Sequence, residues 1–140
     1  MTYPPLKRMT VTDGVIVENI AATTVTKNSS GVDLSSAANF KGVQGELLAI
    51  LFCGAVTGTT PTLDVKFQES DTDVDANYAD ISGAAFPQVT ASNKFHTIGV
   101  TVLGTRKKFI RARSVIAGTS PSFTYGISLV RGGVPVLPTA

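Results

Sequence analysis

The sequence predicts an all-β domain, a sandwich or a barrel, on three observations. Clusters of glycine, proline, serine, threonine and asparagine break the chain about every ten residues, too often for amphipathic helices. Between the breaks lie short runs rich in valine, isoleucine, phenylalanine and threonine, the residues that suit a pleated, half-buried surface. Several runs alternate, so that Leu63, Val65 and Phe67 share one face, as do Phe123, Tyr125, Ile127 and Leu129. With 140 residues, 43% apolar and 16% charged, the chain is long and hydrophobic enough for one domain with its own core.

Taken in order, strands are expected near Val11–Glu18, Thr23–Lys27, Gly31–Leu34, Leu47–Val56, Leu63–Glu69, Ala79–Ile81, Ile98–Leu103, Lys108–Ala117 and Phe123–Val130. Leu47–Cys53 is apolar on both faces and is expected to be central and covered on both sides. Ile98, Val100 and Val102 are set against a wet face holding His96, Gly99 and Thr101. Lys108–Ala117 puts Ile110, Ala112 and Ile116 on one face, and Lys107, Phe109, Arg111, Arg113 and Val115 on the other. Two segments nearly repeat each other, "AVTGTTPT" at residues 55–62 and "VIAGTSPS" at 115–122, with Gly58 and Gly118 60 residues apart. Each lies between strand-like runs and reads as a hairpin tip, where glycine supplies a positive φ and proline ends the incoming ladder. The ends, "MTYPPLKR" and "RGGVPVLPTA", are proline-rich and apolar and read as extended arms. The organisation is therefore an N-terminal arm over residues 1–10, a β body over 11–131 and a C-terminal arm over 132–140.

The chemistry of the chain is sparse. Twelve basic against ten acidic residues leave a formal charge of +2, too weak for wholesale binding to nucleic acid or an anionic membrane. The N-terminus lacks an apolar core of signal-peptide length, and the longest apolar run is about half a membrane helix. The chain reads as soluble and made in a cytoplasm. Cys53, the sole cysteine, sits in an apolar run and reads as a buried thiol. His96 is the sole histidine, so a transition-metal site lacks ligands and a histidine-based triad lacks a nucleophile elbow. Asp71, Asp73, Asp75, Asn77 and Asp80 are spaced like a calcium loop. The helix–loop–helix form needs glycine and glutamate where Ala76 and Ser82 stand, so a solvated loop is expected. No catalytic or cofactor constellation is expected. The stripe Lys107, Phe109, Arg111, Arg113 is the most suggestive feature. It reads as the charged outer face of a strand, as a docking face for an acidic protein, or as a nucleic-acid track. Like charges at alternate positions, about 7 Å apart, repel mildly unless negative groups lie opposite.

The order of several segments resembles a known family. A hydrophobic strand ending "GAVTG", then "DVKFQES" with its aspartate-rich turn, then "KKFIRA", then "VRG" with a proline tail, is similar to small structural proteins of tailed-bacteriophage heads. The likeness covers most of residues 31–140. It departs from the family where a tryptophan often follows the acidic turn, since Tyr78 stands here. The resemblance implies a capsid cement, or decoration, protein: an antiparallel β-sandwich of jelly-roll type that binds the exterior of the virion shell. Its expected partner is the major capsid protein, with self-association as a dimer preferred over a trimer, and with no nucleic acid, membrane, metal or cofactor. Candidate capsid contacts are Tyr3, Pro4, Leu6 and Arg8 of the first arm, and Lys107, Arg111 and Arg113 of the stripe. Arg131, Val134, Val136 and Leu137 at the C-terminal end complete the set. A carbohydrate- or receptor-binding module on the virion, or a minor head or tail adaptor, is the alternative.

Overall fold

The computed structural model describes residues 13–34, 46–101 and 106–132. These form seven strands: β1 (Asp13–Thr23), β2 (Lys27–Asn28), β3 (Val32–Asp33), β4 (Glu46–Ser70), β5 (Ala79–Ala85), β6 (Lys94–Thr101) and β7 (Phe109–Gly132). One 3-10 turn, Asp75–Asn77, is the sole helical element among the described residues. The protein is thus all-β, an open antiparallel sheet with almost no helix.

Two long strands organise it. β4 and β7 pair antiparallel from Glu46 opposite Gly132 to Ser70 opposite Phe109. β1 lines the outer edge of β7 along its second half, while β2 and β3 line its first half. On the outer edge of β4, β6 pairs with Glu46–Cys53 and β5 with Lys66–Glu69. Backbone bonds between Val89 and Leu63, and from Asn93 N–H to the Gly54 carbonyl, keep the intervening stretch on the same edge. The sheet is therefore four ribbons wide.

The expected hairpin tips are corrected here. The near-repeated segments are not chain reversals; each lies in mid-strand, and they oppose one another, with Thr59 paired to Thr119. Gly58 (φ 109°) and Gly118 (φ 122°) hold matching positive-φ conformations, as do Thr60 (φ 48°) and Ser120 (φ 49°). The backbones approach so closely that a Cβ on Gly58 would lie 2.7 Å from the Ser120 carbonyl oxygen. One on Gly118 would lie 2.8 Å from that of Thr60. The ladder register breaks at this crossing and then resumes. The turn-forming composition is real, but its irregularity is absorbed as a matched pair of bulge-like kinks rather than as turns.

A 60-residue offset therefore relates one half of the molecule to the other. Leu63, Val65 and Phe67 of β4 correspond to Phe123, Tyr125 and Ile127 of β7, and all six are buried. In the first half, Leu47, Ala49, Leu51, Cys53 and Val100 join the second part of β7. In the other, Ile81, Phe86, Val89, Ile110 and Ala112 join the second part of β4. All belong to one hydrophobic cluster. Each fully buried side chain of this size contributes about 1.5–3 kcal/mol, so this face dominates the fold's stability. Burial also pushes the Cys53 thiol pKa up.

Leu47–Cys53 is central as expected, but the described chain does not cover it on both sides. Leu47, Ala49, Leu51 and Cys53 point into the core, while Leu48 and Ile50 are half-buried and Phe52 is 45% exposed. His96 pairs with Leu51, which places it on the face of Ile98 and Val100 rather than on the wet face.

Candidate interaction surfaces

The outward faces of the two halves differ chemically. In the half containing β5, the outward face holds Asp64, Lys66 and Gln68 of β4 and Arg111 and Arg113 of β7, beside Phe109 and Val115. Lys66 Nζ lies 2.6 Å from Asp80, and Gln68 Nε2 donates to the other oxygen of that carboxylate at 2.7 Å. These two bonds, Lys66 first, hold the Asp80 pKa below the usual range. The Gln88 amide donates to Asp64 at 3.0 and 3.2 Å.

Arg111 is the hub of this face. Alternation on β7 puts Ile110, Ala112 and Ser114 inward and Arg111 and Arg113 outward. Arg111 is nevertheless only 4% exposed, because the acidic turn folds over it. Its Nε donates to Gln68 Oε1 at 3.0 Å, its Nη1 donates to Asp75, and its guanidinium lies 4.0 Å from the centre of the Tyr78 ring. The Tyr78 hydroxyl in turn donates to Asp73 at 2.6 Å. Burial first, and this bond second, push the tyrosine's pKa far up. Tyr78, standing where the family resemblance leads one to expect tryptophan, thus supplies the aromatic lid of the arginine.

The negative groups that the like charges of the stripe call for come from the chain itself. The chain brings its own carboxylates. Lys107 Nζ lies 3.6 Å from Asp71, Arg106 Nε lies 3.4 Å from Glu69, and Lys108 Nζ lies 3.9 Å from Asp33. Arg113 donates to Asn28 at 3.0 Å. Of the three stripe candidates, Lys107 is exposed, Arg113 is half-buried and Arg111 is closed off. The acidic turn is exposed as expected, but its carboxylates serve as latches. Among the described residues no cluster has the makings of a metal site.

The half containing β6 is unlike this. Three cross-strand rows face outward: Gly99, Leu48 and Val130; Thr97, Ile50 and Ser128; Phe95, Phe52 and Gly126. None of these nine is charged. Phe95 is 65% exposed. The Phe52 ring lies across Gly126, where a Cβ would sit 2.2 Å from the ring, whereas a Cβ at Gly99 would meet nothing within 4 Å. The two apolar faces of Leu47–Cys53 signal this surface in the sequence, but a strand begun at Ile98 leaves Phe95 outside it.

Arg131 lies on β7 with its backbone opposite Asp13 and Leu47. Tyr3, Pro4, Leu6, Arg8, Val134, Val136 and Leu137 fall outside the described residues. Among those described, no helix is long and apolar enough to cross a membrane. No protein-family model matches the chain, and no curated protein sequence matches it.

Proposed function

We propose that the protein is a capsid cement protein, bound to the outer surface of a tailed-phage head and tying neighbouring major capsid subunits together. The observation that carries this reading is the pairing of two broad sheet faces, one charged and internally latched, the other uncharged and apolar. Such a body suits a protein that works as a surface between other surfaces. The sequence resemblance points the same way. We further infer that the two halves of the sheet close on each other as a jelly-roll-type sandwich, since the inward side chains of both halves belong to one hydrophobic cluster.

The test is decoration in vitro. Added to heads that lack it, the protein is expected to appear as density on the capsid exterior by electron microscopy and to raise the temperature at which heads rupture. Charges near the rim of an interface are each worth about 0.2–1 kcal/mol, so Lys107→Glu with Arg113→Glu should lower occupancy a few-fold. Deleting residues 1–7 or 133–140 should lower occupancy while leaving the circular dichroism intact. No DNA binding is expected at physiological salt. Micromolar, salt-sensitive binding would replace this reading with an internal or packaging role.

A carbohydrate-binding module is the second reading, favoured by the exposed neighbours Phe52 and Phe95. Glycan-array binding lost on Phe95→Ala would select it.

A further inference from the structure

The uncharged face has a shape that matches itself. Phe95 projects from one end of β6, and Gly99 leaves open space four residues further along the same strand. Thr97 lies midway. Beside them on β4, Phe52 pairs with Phe95 and Leu48 with Gly99, with Ile50 between. A two-fold axis lying in the plane between two such faces, perpendicular to the strands and passing over Thr97 and Ile50, brings each Phe95 over the partner's Gly99. It also brings each Phe52 over the partner's Leu48.

We propose that this face is the contact between two copies of the chain, packed sheet on sheet about such an axis. Two features favour a second copy over another occupant. The knob and its hole lie on one strand at equal distances from a common centre, as an isologous interface requires. The nine residues of the three rows carry no charge, so nothing among them would select an oppositely charged partner. The rows span five residues of strand on three strands, about 17 by 14 Å or roughly 240 Å² in projection. That is below the roughly 600 Å² per partner of a standard specific interface, so the dimer is expected to be a weak, micromolar one. This inference is independent of the capsid reading.

Sedimentation of the full chain across the micromolar range tests it. The parent should pass from monomer to dimer as concentration rises. Phe95→Lys should weaken dimerisation about tenfold or more, and Gly99→Asp should weaken it too, with circular dichroism unchanged because both sites are exposed. In the double variant each new lysine faces a new aspartate on the other copy, so dimerisation should return. A parent that stays monomeric, a trimer, or a dimer indifferent to Phe95→Lys overturns the proposal. So does failure of the double variant to recover. A persistent monomer would assign the face to another segment of this chain or to a different protein.

Discussion

Arg111 stays charged at 4% exposure because Gln68, Asp75 and the Tyr78 ring replace the water it gives up. Hydrogen bonds involving a charged group are worth about 1.5–3 kcal/mol each. Asp75 is 87% exposed and regains solvent when its partner goes. Arg111→Met, which keeps the apolar stem, should therefore cost about 2 kcal/mol, read as a lower urea midpoint with an unchanged m value. Lys107→Met, at an exposed pair, should cost at most about 0.5 kcal/mol. Equal losses would mean that Arg111 is not the hub. The tyrosine adds a dependence on pH. Its pKa is raised by burial and by the bond to Asp73, so the folded state favours the neutral phenol. The stability it lends is complete below the ordinary tyrosine pKa of about 10 and is lost as pH rises beyond it. Tyr78→Phe keeps the ring over Arg111 but has no proton to lose. Between pH 9 and 11 the parent should lose stability faster than this variant in denaturant titrations.

At the scale of elements, the crossing of β4 and β7 makes the sharpest demand on sequence. Gly58 and Gly118 combine φ values of 109° and 122° with a backbone approach that leaves no room for a Cβ. Gly58→Ala and Gly118→Ala should each cost about 1–3 kcal/mol. Because the two sites have matching φ values and matching close approaches, the costs should be similar. Thr60→Gly and Ser120→Gly relieve a left-handed conformation and should be neutral or stabilising by up to about 1 kcal/mol. Thermal melts of the four variants check both statements. The inward face of each long strand could be read from the sequence, because alternation follows from the two-residue period of a strand. Ile110, Ala112, Leu63, Val65 and Phe67 all obey it. Alternation does not name a strand's neighbour, however, and "GTTP" has the same composition at a hairpin tip as at a paired kink. The burial of Arg111 is illegible for a related reason: a run of basic residues does not reveal that its counter-charge, Asp75, lies 36 positions earlier.

Across the whole molecule, the 60-residue correspondence holds for the matched kinks and the inward residues of β4 and β7 but not for the surface. Lys66 and Gln68 correspond by the 60-residue offset to Gly126 and Ser128, so one outward face became charged and the other bare. The ladder arrangement also constrains how the chain finds its shape. The β4–β5 pairing is local, joining Glu69 to Ala79. Among the described residues, every other pairing between strands joins positions at least as distant as Ser70 and Phe109, 39 apart. Such non-local topologies fold in milliseconds to seconds, since loop closure comes before its reward. Among the described strands, the hairpin closed by the acidic turn has the shortest loop to close, and Arg111 ties β7 to it through Gln68 and Asp75. Arg111→Met should accordingly slow refolding in stopped-flow chevrons while leaving the unfolding rate nearly unchanged, a φ-value close to one. The same arginine that the sequence offers as a docking residue would then act before any partner is met, as the fastening point of the folding nucleus.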